Sequence, residues 1–354
     1  MTRVKHADGP LLAVLFVLAT SLHSPASAQV PENIPPYQPR SRISGTIRVW
    51  GSPEMGGVMQ RWQRGFIKYQ PDAHFDVHLY GTATSIAGLY TGIADVSLLG
   101  REIWPIESTA FDSVFAYKPT GVQVATGSYD TPKATYALTI YVNGKNPLSK
   151  LTLDQVAGIF GTPLSPERKP IRVWGDLGLR REWSHIPIQT YNFDYDNDKA
   201  VFFRHRLFAA RYRWKEITRE YSNRTTSDGT TVDSGKLILD VLATDPFGIA
   251  VSNPHYANED VKPLALAGRE GEYVFPSRQT VQNRSYPLTR AVYIYINHPP
   301  TGPYDAKVLE LLRYILSQQG QADVIADSTY LPLPATIVKA ELNELLVETA
   351  LITR

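Results

Sequence analysis

The chain has 354 residues, of which 20% are charged, 43% hydrophobic and 11% aromatic, with no cysteine and a formal net charge of +2. That balance is ordinary for a globular protein and excludes long disorder, a collagen-like repeat and a disulfide scaffold. Without thiols there is no cysteine nucleophile, Cys-ligated zinc or iron–sulfur cluster, and the near-neutral charge argues against a nucleic-acid partner held by phosphate contacts.

The first segment reads as a targeting signal. Arg3, Lys5 and His6 make a basic start, residues 11–22 an apolar run, and Ala26-Ser27-Ala28 a small-x-small cleavage pattern. The run is shorter than the roughly 20 residues that span a bilayer. Residues 1–28 are therefore predicted to be a signal peptide, cut near Ala28 to leave a soluble periplasmic chain. Residues 29–43 are Pro-rich and predicted to stay extended.

From Ile43 strands and helices alternate. Residues 46–50 read as a strand, and Gly51-Ser52-Pro53 turns into a helix whose Val58, Trp62, Phe66 and Tyr69 recur at helical spacing. A second strand over 75–80 leads through the polar turn Gly81-Thr82-Ala83-Thr84-Ser85 to a short helix over 86–92. A third strand, 95–99, is followed by Gly100-Arg101-Glu102. The later chain repeats this grammar. Strands are predicted at 136–143, 186–191 and 288–297, a turn plus strand at 246–251, and helices at 153–160, 199–212, 235–243 and 307–318. The alternation predicts an α/β fold with a largely parallel sheet, and the length predicts two lobes. Ile47-Arg48-Val49-Trp50-Gly51 recurs as Ile171-Arg172-Val173-Trp174-Gly175, but the flanks do not match and no duplication is inferred.

The dinucleotide fingerprint, the P-loop, H-E-x-x-H and G-x-S-x-G are all missing. His74 and His78 fall on one face of a predicted strand, about 13 Å apart, and read as surface residues. Asp194, Asp196 and Asp198 open like a calcium loop, but the sixth and twelfth positions, which require Gly and Glu, hold Lys199 and His205. No catalytic residue, metal site or cofactor is predicted. Arg204, Arg206, Arg211 and Arg213 read as a solvated basic face, with docking to a membrane partner as the alternative. Three strand–turn–helix junctions carry more information: 51–56, 81–85 and 191–198. Helix starts offer free backbone N–H groups and a positive dipole end, and turns at the carboxyl ends of strands converge on one crevice. Capped helices without a ligand are the competing interpretation of these junctions.

At these residues the chain resembles the phosphate-type substrate-binding proteins of ABC importers, a two-lobed periplasmic binding protein family. The similarity runs from about Gly45 to Leu333. It is carried by Trp50-Gly51-Ser52 with Met55, Tyr69-Gln70-Pro71, 81–86, 94–103, 151–161, Val173-Trp174-Gly175-Asp176-Leu177, Tyr286-Pro287-Leu288-Thr289-Arg290, 293–297, 317–321 and Tyr330-Leu331-Pro332-Leu333, in that order. The resemblance implies an α/β fold of type II with a ligand cleft between lobes joined by two crossing strands, near 134–142 and 288–296. Lobe 1 is expected over 44–135 and 288–345, lobe 2 over 136–287, and a tail over 346–354. The implied role is capture of a small ligand, phosphate or a related oxyanion, for an ABC permease in the inner membrane. The protein is expected to act as a monomer, with no nucleic-acid partner, no cofactor and no chemistry on the ligand. Ligand contacts are expected from Ser52, Glu54, Met55, Thr82, Ala83, Thr84 and Arg101 on lobe 1, with Arg101 as the cation, and from Asn192, Asp196, Asn197 and Asp198 on lobe 2.

One departure from the family pattern bears on the ligand. Where the family has an Arg and then Ser-Gly-Thr, this chain has Asn192 and Asp196-Asn197-Asp198. A carboxylate about 4 Å from a unit of ligand negative charge costs on the order of 4 kcal/mol at an effective dielectric near 20. One Asp is therefore expected to accept the proton of a monohydrogen phosphate, a role whose usual family position falls on Gly100, while the others face solvent. The rivals are a neutral or cationic solute in the same fold, a non-transport sensor or adhesion module, and an exported phosphomonoesterase-like enzyme. The last lacks metal ligands and an obvious nucleophile.

Overall fold

The computed structural model describes residues 30–267 and 271–351; the signal peptide expected over 1–28 lies outside them. The main strands are β1 (Gly45–Gly51), β2 (Ala73–His78), β3 (Val96–Leu98), β4 (Thr120–Thr126), β5 (Thr139–Asn143), β6 (Gln189–Phe193), β7 (Arg219–Tyr221), β8 (Gly248–Ser252), β9 (Val261–Pro263) and β10 (Ala291–Ile296). They form two five-stranded sheets, ordered β2-β1-β3-β10-β4 and β7-β6-β8-β5-β9. In each sheet the first three strands run parallel and the last two pair antiparallel. The expectation of a largely parallel sheet is thus corrected to a mixed one. The cause is connectivity: β4 carries the chain out of the first sheet and β10 brings it back, so these neighbours run in opposite directions.

Each sheet has its own core. The first gathers Ile47, Val49, Trp62, Phe66, Val292 and Leu311, among others, and the second Tyr136, Ile140, Phe160, Trp174, Phe203 and Ile249. Local sequence explains the pieces. In β1 the alternate residues Ile47 and Val49 are fully buried. Helix α1 (Gly56–Ile67) buries Val58, Met59, Trp62 and Phe66 along one stripe, and the Trp62 indole donates to the Gly320 carbonyl at 3.0 Å. Gly51 permits the close approach of β1 to β3: a Cβ there would lie 2.3 Å from the Leu98 carbonyl oxygen.

The two crossings run side by side. Gly127 N–H donates to the Arg290 carbonyl at 2.9 Å, and Leu138 N–H to the Leu288 carbonyl at 3.1 Å. Ladder pairing starts later than expected on both, at Thr139 and Ala291. Residues 30–43 carry no helix or strand, yet they are docked: Tyr37 is buried between Phe66, Tyr69 and Tyr314. The helix expected over 199–212 stops at Leu207, because Ala209 and Ala210 adopt positive φ of 42° and 58°. At the other end α6 (Ala335–Leu351) runs past 346, where a tail was expected, since neither Gly nor Pro interrupts it.

Candidate ligand cleft

The carboxyl end of β1 opens the cleft on the first lobe. Ser52 is buried and accepts the Glu54 N–H on Oγ at 3.3 Å, capping a short 3-10 turn (Pro53–Met55) and leaving its hydroxyl proton free to donate. Gly81 N–H donates to the Gly51 carbonyl at 3.0 Å, which sets the second junction against the first. Thr82 and Ala83 are not a turn but the opening of helix α2 (Thr82–Tyr90). Gly81, at φ 122°, precedes them with no side-chain cap; the Thr84 N–H is taken by the Gly81 carbonyl at 3.2 Å, which leaves the Thr82 and Ala83 N–H groups at the uncapped start. Thr84 donates its hydroxyl to the Gly81 carbonyl at 2.8 Å and is committed locally.

Met55 does not line the cleft. It is fully buried, its Sδ 3.2 Å from where a Gly100 Cβ would stand. Arg101 is corrected likewise. Its guanidinium, 7% exposed, grips Glu107 with two prongs at 2.7 and 3.0 Å, donates to the Glu102 carbonyl at 2.9 Å and lies 4.3 Å from the Trp104 ring centre. A guanidinium so satisfied has little left to offer a ligand.

On the second lobe, Asp196 is exposed and its N–H donates to Asp194 Oδ1 at 3.2 Å, while Asp194 Oδ2 accepts the Ser222 hydroxyl at 2.6 Å. Asn197 caps helix α5 (Asp198–Leu207) by accepting the Lys199 N–H at 3.0 Å. Asn192 is fully buried; its Oδ1 accepts the Phe193 N–H, and its Nδ2 has no partner. Of the three turn aspartates, Asp198 is the one that meets the first lobe. Its carboxylate takes Lys199 Nζ at 2.9 Å and Arg290 at 2.9 Å.

Arg290 is the residue that sequence reasoning missed. It sits at the return crossing, 1% exposed, and also reaches Glu102 Oε2 at 3.0 and 3.3 Å. Its guanidinium carbon lies 4.9 Å from the Phe202 ring centre. The available signal was an arginine set between apolar Leu288 and the buried run of β10, where a charge requires partners. Burial works against ionisation of Asp198, but Lys199 and Arg290 hold its carboxyl well below the usual range. Glu54 is exposed by area, yet the surrounding protein pushes its carboxyl upward, against the pull of Lys199 and the Arg290 guanidinium. The hydroxyls of Tyr136 and Tyr330 are buried without partners; Arg290 acts electrostatically on both. Beside Arg290 a groove of about 220 Å³ opens between Trp104, Phe202 and His205. Among the described residues no helix is long and apolar enough to cross a membrane.

A family model described as a PBP superfamily domain matches residues 37–319. The chain belongs to the PBP superfamily. Over 337 residues it is 30% identical to the phosphate-binding protein PstS of Pseudomonas aeruginosa, a match covering 95% of this chain and 98% of that one. A PstS of Bacillus subtilis is 21% identical over 94% of this chain and 96% of its own. Among solved structures, PstS from Borrelia burgdorferi superposes with a TM-score of 0.53, at 15% identity over 82% of this chain and 99% of that one. An ABC-type phosphate transport receptor from Vibrio cholerae gives 0.51, at 16% identity over 81% and 100%. The two-lobed PBP fold accounts for the two sheets, the two cores and the paired crossings.

Proposed function

We propose that this chain is an extracytoplasmic solute-binding protein, which captures phosphate or a closely related oxyanion and delivers it to the permease of an ABC importer. The carrying observation is kinship along nearly the whole chain: 30% identity over 95% of it with a phosphate-binding protein. In this reading the protein is exported to the periplasm after cleavage near Ala28, works as a monomer and leaves its ligand chemically unchanged. The lobes divide at 44–135, 136–287 and 288–345; the two main cores support such a division except at Leu288 and Leu331, which pack with the second lobe's core.

The anion sits where the uncapped start of α2 meets the Ser52 hydroxyl, and the helix dipole and the N–H groups of Thr82 and Ala83 favour negative charge there. Asp198, held ionised, faces it from the second lobe and accepts the proton of a monohydrogen phosphate. Closure about the paired crossings brings the two halves of the site together. A neutral or cationic solute is the second reading, favoured by three carboxylates, Glu54, Glu102 and Asp198, around two cations, Arg290 and Lys199.

A thermal-shift series with phosphate, sulfate, neutral sugars and polyamines decides between them. A ligand at 100 times its Kd stabilises the native state by about 2.7 kcal/mol. Phosphate is expected to raise Tm most. A shift with polyamine or sugar and none with phosphate would overturn the oxyanion assignment.

A further inference from the structure

The Arg290–Asp198 ion pair joins parts of the molecule that must separate when the cleft opens, and the Arg290–Glu102 pair anchors the same guanidinium to the first lobe. Glu102 follows β3 on the first lobe, Asp198 begins α5 on the second, and Arg290 lies on the crossing between them. The guanidinium donates three hydrogen bonds, at 2.9, 3.0 and 3.3 Å, to these two carboxylates. We infer that Arg290 is a positioning residue that latches Glu102 to Asp198 and holds the lobes together when no ligand is bound.

Three observations bear on this. First, Arg290 is 1% exposed while Glu102 and Asp198 are 34% and 27% exposed, so the guanidinium itself is out of water and a broken contact leaves it as a buried charge. Second, Arg290 is held by its own carbonyl, which accepts the Gly127 N–H from the outgoing crossing, so the latch acts beside the hinge. Third, on the same return segment Arg284 reaches across to β4, where its guanidinium contacts Thr126 Oγ1 at 3.1 Å, the Ala125 carbonyl at 3.3 Å and the Gln123 side chain. Arg284 therefore ties the second lobe's last segment to β4, while Arg290 spans the two cleft walls. Glu102 and Asp198 also supply Arg290 with the negative charge that an anionic ligand would bring. The cleft can thus close empty, and closure alone does not report occupancy.

The inference rests on the hinged, two-lobed reading above and not on which solute binds. It is tested with phosphate-free protein. The chain has no cysteine, so two introduced label sites, one on each lobe, report the interlobe distance without background. The native protein is expected to show mainly the short distance before any ligand is added. Glu102→Gln removes a half-exposed partner and is chosen because it is least prone to unfold the chain. It is expected to raise the open population by about tenfold, because the two hydrogen bonds that Glu102 accepts from Arg290 lose their charge assistance. Arg290→Gln should do the same or more, and Arg290→Lys should restore only part of the closed population, because an ammonium cannot fork onto two carboxylates. A native protein that is open without ligand, or unchanged distances in Glu102→Gln with the fold intact, would overturn the latch. Adding inorganic phosphate in the same experiment separates the two claims. If phosphate leaves every distance unchanged and gives no heat of binding, the oxyanion reading fails, while the opening of the ligand-free variants still supports the latch.

Discussion

Arg101 and Glu107 form a two-pronged ion pair at 2.7 and 3.0 Å, and the same Glu107 carboxylate accepts the Trp104 N–H at 2.8 Å. The pair builds the start of helix α3 (Pro105–Phe115) rather than the ligand seat. Arg101→Ala should therefore cost stability, about 3 kcal/mol for one partner of a largely buried pair. Phosphate affinity should change less than threefold. Urea unfolding and calorimetric titration of the same variant separate the two effects. A hundredfold loss of affinity at unchanged stability would return Arg101 to the binding site.

The aspartates of the acidic turn should behave differently from one another. Asp196 is exposed, so Asp196→Asn should leave both stability and binding within about 0.5 kcal/mol of native. Asp198 touches Lys199 and Arg290, and in the proposed site accepts the ligand's proton. Asp198→Asn should shift preference from monohydrogen phosphate toward sulfate, which carries no proton, by tenfold or more. Competition titrations with the two anions measure the ratio, and equal effects at both positions would argue against a specific role for Asp198.

Glu341 gives a pH dependence. It is buried on α6, and burial, aided by the nearby Glu344 charge, raises its pKa from about 4.5 to about 7, although Gln123 donates to it at 2.8 Å. A carboxyl that is harder to ionise when folded holds its proton more tightly in the native state. Its stabilising contribution is complete below about pH 4.5 and is lost as pH rises through about 7. The full difference amounts to up to about 3 kcal/mol. Glu341→Gln should flatten stability between pH 5 and 8 and melt higher than native at pH 8. Parallel pH profiles for the two proteins would expose the error if this difference is missing.

The leader is predicted to contribute to the first lobe's stability. Tyr37 donates to Glu310 at 2.7 Å and accepts from Gln70 Nε2 at 3.3 Å, with its ring against Phe66, Tyr69 and Tyr314. Tyr37→Ala should cost about 3–5 kcal/mol through lost packing. Tyr37→Phe should cost about 1–3 kcal/mol, because Glu310 loses a hydrogen-bond donor. Thermal melts and limited proteolysis of residues 30–43 read both; an Ala variant as stable as native would mean that the leader rests on the lobe without supporting it.

Sequence by itself determined the local elements and the order in which they occur. Helix α1 is legible because Val58, Trp62 and Phe66 recur every four residues, close to one helical turn, and the helix read over 153–160 is α4 (Leu153–Phe160), which Thr152 and Gln155 cap reciprocally in the structure. The α/β class and the polar junctions at 51–56 and 81–85 follow from the same short-range signals. Tertiary structure decided what those signals could not. Ile47-Arg48-Val49-Trp50-Gly51 is a central strand because β2 and β3 flank it, whereas Ile171-Arg172-Val173-Trp174-Gly175 has one isolated bridge, Val173 to Pro187, and bends into a 3-10 turn. Which arginine reaches across the cleft was decided in the same way. Arg101 finds Glu107 six residues away and closes on itself, while Arg290 finds its partners 188 and 92 residues earlier in the chain. Periodicity and capping act over one or two turns of chain, but a buried charge is placed by whichever opposite charges the folded sheets bring beside it.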